Sequence, residues 1–227
     1  MSWSSGKDAA LALHYLQQDP GYQVDLLLTT VNSHHDRVSM HGLRRSLLQR
    51  QIEAIGLPHE SLDLPEQPNM EEYDQLMDTR MQHLVDQGYQ CGGYGDIFLE
   101  DLKSYRDKQL AKNNLKGVYP LWKRNSKELI REFIDLGLKS VVICANIGLL
   151  DESFVGRDIN TNFLEDLHEG VDPCGENGEF HTFCYDGPIF RHSVKFEKAD
   201  KVVREYPNPS SSTLDDDKVK FQFVDLY

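Results

Sequence analysis

The sequence predicts an α/β fold, in which a mostly parallel sheet flanked by helices is followed by a smaller α+β part ending in antiparallel strands. Helix and strand patterns alternate over residues 1–145. Two of the strand patterns are continuous apolar runs, which are typical of strands buried on both faces of a parallel sheet. The C-terminal strand patterns alternate apolar and polar residues, which is typical of half-exposed antiparallel strands. We therefore expect two domains, residues 1–145 and 146–227.

Helical periodicity and capping residues predict five helices before residue 140. They cover residues 8–17, 43–55, 70–85, 99–113 and 125–137. Gly56 and Pro58 are expected to end the second helix, because glycine favours the position after a helix and proline cannot continue one. Asn125 and Glu128 have the spacing of a capping box, which predicts where the fifth helix begins.

The remaining segments are predicted from apolar runs and turn residues. The predicted buried strands are residues 24–31 and 140–145, the short helix is 160–168, and the antiparallel strands are 194–197 and 219–223. Residues 170–188 contain turn residues throughout, and residues 207–212 read as a surface loop. Only residues 1–3 precede the first helix's loop, so either the first strand is very short or the chain begins upstream.

Composition excludes several classes of protein. The chain has 227 residues, 39% of them hydrophobic, and a net charge of −13, which disfavours nucleic acid as a partner. No run of eighteen apolar residues occurs, and the N-terminus lacks a signal-peptide pattern, so we expect a cytoplasmic protein that does not enter a membrane. The four cysteines form no C-x-x-C pair and are expected to be reduced thiols.

The strongest local motif is Ser-Ser-Gly-Lys-Asp at residues 4–8, where a strand is expected to lead into a helix. Small residues allow a tight turn, so that backbone N–H groups and the helix N-terminus favour a bound anion such as phosphate. The motif is not a Walker A loop, and no G-x-G-x-x-G sequence occurs. The alternative is an ordinary helix N-cap with a polar first turn.

These residues resemble the Ser-Gly-Gly-Lys-Asp-Ser pyrophosphate loop of the N-type ATP pyrophosphatases. Four further motifs follow in the order seen in the diphthine-ammonia ligase family. They are Gly-Asp-Ile at residues 95–97, Tyr-Pro-Leu-Trp at 119–122, Gly-Arg at 156–157 and Gly-Glu-Asn-Gly-Glu-Phe-His-Thr at 175–182. The resemblance covers residues 2 to about 190. Ser5 stands where the family loop has a glycine, Ala9 where it has a serine, and Asn177 replaces a glycine of the last motif.

The resemblance implies an adenine nucleotide α-hydrolase-like (HUP, Rossmann-like) fold and an ATP-dependent amide ligase. ATP is cleaved between its α and β phosphates, a substrate carboxylate is adenylated, and ammonia displaces AMP to give an amide. The implied cofactors are ATP and Mg²⁺. The implied partners are ammonia and a carboxylate acceptor, either protein-borne diphthine, which carries a quaternary ammonium group, or a small molecule. A homodimer is also allowed for.

The resemblance implies nucleotide-binding roles for the loop and for the end of the strand that follows. Backbone N–H groups of Ser4, Ser5 and Gly6 are expected to hold pyrophosphate, with Lys7 as a point charge and Asp8 as the Mg²⁺ contact. Because nucleotides bind at the carboxyl ends of parallel strands, further contacts are expected at Thr30, Val31 and Asn32. His41 matches a histidine of the family's second motif and is expected to face the phosphates or the adenine, with an ordinary polar loop as the alternative. For Val31 the alternative is a core residue.

The motifs also supply the expected catalytic and acceptor-binding residues. The catalytic residues are Lys7, Asp8, Asp96, Glu176 and Glu179. The acceptor-binding residues are Arg157, Trp122, Gly175, Glu176, Gly178, Glu179, His181 and Thr182. The two glutamates are candidates for steering or deprotonating ammonia, or for binding a cationic acceptor. The alternatives are an N-cap role for Asp96, core packing for Trp122 and a solvated acidic loop for the glutamates.

Two further hypotheses stay open at the level of sequence. The same scaffold can amidate a small-molecule carboxylate in a bacterial relative, where diphthamide has no target. A different class, a nucleotide-binding sensor without turnover, is suggested by Ser5 and Ala9. Retention of Lys7, Asp96 and the glutamate-rich motif favours the ligase, because a binding module has little use for a distant acidic loop.

Overall fold

The computed structural model describes residues 1–39, 41–207 and 218–227. The α-helices are α1 (Lys7–Gln18), α2 (Arg45–Ile55), α3 (Met70–Asp86), α4 (Glu100–Lys112), α5 (Ser126–Asp135) and α6 (Thr161–Glu165). The strands are β1 (Leu27–Asn32), β2 (Arg37–Val38), β3 (His59–Leu64), β4 (Cys91–Gly93), β5 (Lys116–Val118), β6 (Lys139–Asn146), β7 (Phe180–Asp186), β8 (Lys198–Pro207) and β9 (Lys218–Leu226). All six predicted helices are confirmed, while most of the loop predicted at 207–212 lies outside the described residues.

The N-terminal part contains parallel strands, as predicted. β1 pairs with β3, and β4 pairs with β5, both in parallel. Residues 1–3 lie between these pairs, because Ser2 bridges Leu28 in parallel and its N–H donates to the Gly93 carbonyl at 2.9 Å. The parallel layer therefore runs β3, β1, residues 1–3, β4 and β5, and the loop at residues 4–8 leaves its centre.

The C-terminal part is a four-stranded antiparallel sheet with the order β7, β6, β9, β8. β6 is the buried strand predicted at 140–145, but the expectation that it continues the parallel sheet is wrong, since it pairs antiparallel with β7 and β9. An apolar run reports burial on both faces and carries no information on strand direction. The division of the chain at residue 145 stays a prediction.

Two further boundaries in this sheet differ from the sequence expectations. Residues 170–188 contain the strand β7 in addition to turns; its apolar residues are few and follow a glycine-rich turn segment, so they form only a weak strand pattern. The strand expected at 194–197 is wrong in position, since β8 begins at Lys198. Glu197 and Tyr227 exchange two backbone hydrogen bonds just before that point. The strand at 219–223 is confirmed as part of β9.

Helix ends follow the local capping chemistry. α2 ends at Gly56, whose φ of +76° is a left-handed conformation that glycine adopts without strain. The Asn125 side chain accepts hydrogen bonds from the N–H groups of Lys127 and Glu128, as its predicted capping role requires. A reciprocal capping box, which was not predicted, opens α3 at Asn69 and Glu72.

The two sheets share one hydrophobic core. It joins α1, α2 and α5 to β1, β6 and β7, with the rings of Trp3, Phe133 and Phe183 fully buried. Gln51 of α2 is buried within it, where it accepts a hydrogen bond from the Trp3 indole and donates to the carbonyls of Ser5 and Cys184. This core places the loop at residues 4–8 where the two sheets meet.

Candidate active site

The loop at residues 4–8 is held from both sheets. Ser5 has a φ of +71°, a left-handed conformation that favours glycine, the residue that the resembled loop has at this position. Its carbonyl accepts hydrogen bonds from Gln51 Nε2 at 3.0 Å and from the Cys184 N–H at 2.9 Å. Gly6 is the N-cap of α1, where a Cβ atom would lie 3.3 Å from His41 Cε1 and from the Thr182 carbonyl oxygen.

Lys7 is buried at the start of α1, with 3% of its surface exposed. Its ammonium group donates to both carboxylate oxygens of Asp8, at 2.8 and 2.7 Å, and to the carbonyl of Cys174. Burial is the largest effect and opposes the charged form, but Asp8, Cys174 and Glu176 together outweigh it and raise the pKa of Lys7. A lysine is rarely buried unless it is paired. The interpretation of Lys7 as a solvated first-turn side chain is therefore wrong, whereas the N-cap alternative for the whole segment stays open.

Strand β7 closes the loop from the C-terminal sheet. The Lys7 N–H donates to Thr182 Oγ1 at 3.0 Å. The ring of His181 lies 4.7 Å from that of His41, centroid to centroid, beside the loop. Burial, and in second place the Lys7 charge, lowers the pKa of His181 to about 4. The loop is therefore bordered by two imidazoles, and at neutral pH that of His181 is uncharged.

The glutamate-rich loop lies against the same place. Glu176 Oε1 accepts a hydrogen bond from the Ile97 N–H at 2.8 Å. Glu179 is only 3% exposed, and its Oε1 accepts from the Asp172 N–H and from Asn177 Nδ2, each at 3.0 Å. The interpretation as a solvated acidic loop is therefore wrong for Glu179.

The turns of this loop depend on two of the predicted glycines. Gly175 has a φ of +68°, and a Cβ atom there would lie 2.9 Å from the Phe180 carbonyl oxygen. Gly178 has a φ of +84°. Both positions therefore favour glycine for conformational reasons, and a direct role in acceptor binding stays a prediction.

Asp96 completes a group of carboxyl groups with Asp8 and Glu176. It is nearly buried and forms an ion pair with Arg106, with Nε and Oδ2 at 2.8 Å. Gly95 brings it there, because a Cβ atom at this position would lie 2.8 Å from the Asp8 carbonyl carbon. The N-cap alternative for Asp96 is wrong, since Leu99 is the N-cap of α4.

The electrostatics of Glu176 reflect this crowding. Burial, followed by the neighbouring charges of Asp8 and Asp96, raises its pKa to about 7, against the opposing effects of the Ile97 N–H and Lys7. Asp96 also has a raised pKa, chiefly because it is buried. The site therefore combines one buried cation with carboxyl groups that resist losing their protons.

The other predicted nucleotide contacts lie at the edge of this arrangement. The Thr30 carbonyl accepts a hydrogen bond from Ser39, and the Asn32 side chain bonds the backbone of Glu66. The Val31 side chain is fully buried in the core, which is the alternative that the sequence left open. A nucleotide role for the backbone of these strand residues stays a prediction.

Two predicted acceptor contacts are engaged elsewhere. The Arg157 guanidinium donates to Asp166 at 2.7 Å and lies over the ring of Phe154. Trp122 is partly buried against Tyr119, at 6.1 Å between ring centroids. Their roles in binding stay predictions.

Sequence reasoning missed three residues that organise the site. Asp172 Oδ2 accepts from the Glu176 N–H at 3.0 Å, and Arg106 pairs with Asp96. Gln51 ties the loop to the core. A signal was present for Gln51, because it is a lone polar residue in the apolar stripe of α2. The other two lie in charged segments that carry no comparable signal.

Residues 1–39, 41–207 and 218–227 contain neither a metal-ligand cluster nor a membrane-spanning helix. There, no group of three or more His, Cys, Asp or Glu side chains is placed to hold a metal ion. None of the helices in these ranges is long and apolar enough to cross a bilayer. The four cysteines are free thiols, as predicted.

Comparisons with known proteins agree with the geometry. The model of the diphthamide synthase N-terminal domain matches residues 1–116, about half of the chain, and that of the diphthamide synthase C-terminal domain matches residues 125–207. The chain belongs to the diphthamide synthase family. Both faces of the candidate site fall within the matched ranges, since Lys7 and Asp96 lie in the first and Glu176 in the second.

Curated relatives match a smaller part of this diphthamide synthase family chain. The diphthine–ammonia ligases of Homo sapiens and Rattus norvegicus are each 31% identical over 111 residues, which is 46% of this chain and 42% of the relative. That of Danio rerio is 28% identical over 129 residues, or 54% of this chain and 51% of the relative. The match thus spans about half the length of these relatives or less.

Proposed function

We propose that this protein is an ATP-dependent, AMP-forming amide ligase of the diphthine–ammonia ligase type. The observation that carries the proposal is the buried Lys7 at the N-terminus of α1, packed against a loop that presents Glu176. A helix N-terminus and a lysine suit a phosphate chain, while the neighbouring carboxyl suits proton transfer. Family membership and the names of the curated relatives support the same reaction.

The reaction has two steps. A carboxylate oxygen of the acceptor attacks the α-phosphorus of ATP, the bond between that phosphorus and the bridging oxygen to the β-phosphorus breaks, and pyrophosphate leaves. The nitrogen of ammonia then attacks the acyl carbon, the bond from carbon to the AMP oxygen breaks, and the nitrogen loses a proton. Both steps need positioning and stabilisation of developing negative charge more than covalent chemistry.

The loop residues fit the first step. The backbone N–H groups of Ser5 and Gly6, with the Lys7 ammonium, stabilise the departing pyrophosphate. Asp8 would hold Mg²⁺, which neutralises phosphate charge when bound and typically takes only one or two carboxylates together with phosphate and water oxygens. Because Asp8 and the Cys174 carbonyl already bind Lys7, nucleotide entry exchanges these contacts for contacts to phosphate.

Glu176 fits the second step. A base is most useful when its pKa lies near the working pH, and burial holds the pKa of Glu176 at about 7. The Ile97 N–H fixes one oxygen of this carboxyl and leaves the other for the proton of the attacking nitrogen. Glu179, held by Asp172 and Asn177, supports the shape of the same loop.

The test follows both ends of the phosphate chain with ATP labelled at the α or the γ position. We expect AMP and pyrophosphate in the presence of ammonia and an acceptor. Lys7→Ala removes the cation that faces the leaving group, so AMP formation should fall about 100-fold or more. Lys127→Ala, the same change at an exposed lysine, is the matched control and should keep the wild-type rate.

Other outcomes would contradict the proposal. Formation of ADP would contradict the assignment of the loop, and nucleotide binding without cleavage would favour the sensor hypothesis. Running the assay with a diphthine-bearing protein and, separately, with small carboxylates identifies the acceptor, because only the true acceptor should accelerate AMP formation.

A further inference from the structure

A group of aromatic rings beside the candidate site encloses an ammonium group that belongs to the chain itself. The Nζ atom of Lys103, on α4, lies 4.5 Å from the centre of the Tyr119 ring and 5.5 Å from that of Trp122. The same Nζ lies 2.5 Å from Asp107 Oδ2. Two aromatic faces and a carboxylate thus surround one cation, and we name Tyr119, Trp122 and Asp107 the Lys103 cage.

The walls of the Lys103 cage are fixed by close contacts. The Tyr119 hydroxyl donates to Asp107 Oδ1 at 2.8 Å, and the ring of Tyr94 stacks on that of Tyr119 at 5.4 Å. Gly117 leaves room for this pair, since a Cβ atom there would lie 2.5 Å from Tyr119 Cε2 and 2.6 Å from Asp107 Oδ1. The cage is therefore a preformed arrangement, which costs a ligand little to organise.

The Lys103 cage is open to solvent. Lys103 and Asp107, but neither aromatic residue of the cage, line a groove of about 410 Å³ along α4, together with Glu100, Ser104, Lys108 and Ala111. The side chains of Lys103 and Asp107 are 25% and 41% exposed, and ion pairs at such exposure contribute little to stability. A competing cation can therefore replace the Lys103 ammonium group without unfolding α4.

The Lys103 cage is adjacent to the carboxyl groups of the candidate site. The residue after Trp122, Lys123, donates its N–H to the Ile97 carbonyl at 2.7 Å, and the Ile97 N–H donates to Glu176 at 2.8 Å. On the other side, the guanidinium of Arg106 lies 4.6 Å from the centre of the Tyr94 ring. The backbone at residues 97 and 123 thus connects the cage to Glu176 of the candidate site.

We infer that the Lys103 cage binds an alkylated ammonium group of the acceptor, whose carboxylate is then directed toward the ATP site. In the free protein the Lys103 side chain occupies the place of that group. Faces of tyrosine and tryptophan attract alkylated ammonium ions, and Asp107 adds a countercharge. The identification of the ligand as the acceptor rests on the proposed function. The existence of the cation site does not depend on it.

The test uses tryptophan fluorescence with choline as the probe. The chain has two tryptophans, and Trp3 is buried in the core with 1% exposure, so a change on choline addition reports on Trp122. Trp122→Phe should abolish the response. The uncharged isostere 3,3-dimethylbutan-1-ol and ammonium chloride, both at matched ionic strength, are the reference ligands and should give no saturable change.

A pair of matched variants separates the cage from general electrostatics. Lys103→Met removes the internal competitor and should tighten choline binding about tenfold, whereas Lys108→Met removes the same charge from the same groove and should leave it within about twofold. Adding Asp107→Asn to Lys103→Met should weaken binding about fivefold. Circular dichroism checks that each variant is folded.

The inference is overturned if Lys103→Met and Lys108→Met respond alike, or if ammonium chloride or the uncharged alcohol reproduces the choline signal. Because no nucleotide is present, this failure is distinct from that of the proposed function. Saturable choline binding without AMP formation would contradict the proposed ligase function and support the cation site. AMP formation by a protein that gives no choline response would support the ligase function and contradict the cation site.

Discussion

Replacing Glu176 by glutamine is expected to stabilise the folded protein while removing AMP formation. Burial raises the pKa of this carboxyl from 4.5 to about 7. Between these values the folded protein keeps a proton that the unfolded chain has released, so stability falls as the pH rises through this range. The stability that the protonated Glu176 carboxyl contributes to the folded protein is fully present below pH 4.5 and lost above about pH 7. Glutamine cannot ionise, so the Glu176→Gln variant does not lose stability in this way as the pH rises.

The size of the effect follows from the shift. At 1.36 kcal/mol per pKa unit, ionisation of Glu176 costs about 1 kcal/mol at pH ~5 and about 3 kcal/mol at pH ~8.5. The free energy of unfolding of Glu176→Gln, relative to wild type, should therefore rise by about 2 kcal/mol between these conditions. The glutamine Oε1 can still accept from the Ile97 N–H, so the loop keeps its anchor.

The assay is urea unfolding of both proteins, followed by circular dichroism at the two pH values. Glu169→Gln, at an exposed glutamate of the same segment, should show no pH-dependent difference from wild type. If the stability difference between Glu176→Gln and wild type is the same at both pH values, the assignment of Glu176 as a buried ionising group is refuted. Activity would be a separate readout, because the variant lacks the proposed base.

Two further predictions concern how the loop at residues 4–8 is held. Gly95→Ala should lower the free energy of unfolding by about 1–3 kcal/mol and weaken ATP binding, measured by urea unfolding and calorimetry, because its Cβ would press on the Asp8 backbone. An unchanged ATP affinity would contradict this packing. Gln51→Met should cost about 2–3 kcal/mol in urea unfolding, since it leaves a buried indole N–H and a carbonyl without partners, while Gln49→Met at the exposed face of α2 should be nearly neutral.

Periodicity and capping were sufficient to predict the helices. The apolar stripe of α2 and its end at Gly56 are local properties, determined by residues within a few turns of one another. Strand pairing is a different matter. β6 is apolar enough for either sheet, and its antiparallel partners β7 and β9 follow it by more than thirty residues of sequence. Direction was thus fixed by tertiary contacts that no local pattern contains.

The candidate site was likewise predictable only in part. Lys7, Asp96 and Glu176 were predicted from motifs, and the structure brings all three together. The residues that hold them were not predicted, because Arg106 and Asp172 act through hydrogen bonds and ion pairs to residues four to ten positions away, within charged segments that carry no distinguishing pattern. The left-handed conformation of Ser5 was not predicted from the serine itself, and its one signal was the glycine that the resembled family loop has at this position.

The bond from the Lys7 N–H to Thr182 spans 175 residues of sequence. Ribosomes add about 5–20 residues per second, so the turn that opens α1 is made roughly 9–35 s before its closing partner exists. Until β7 has been synthesised, the Lys7 N–H therefore lacks this partner, and the candidate site is complete only after most of the chain has been made. A fragment that ends before β7 would contain the loop at residues 4–8 without the strand that packs against it.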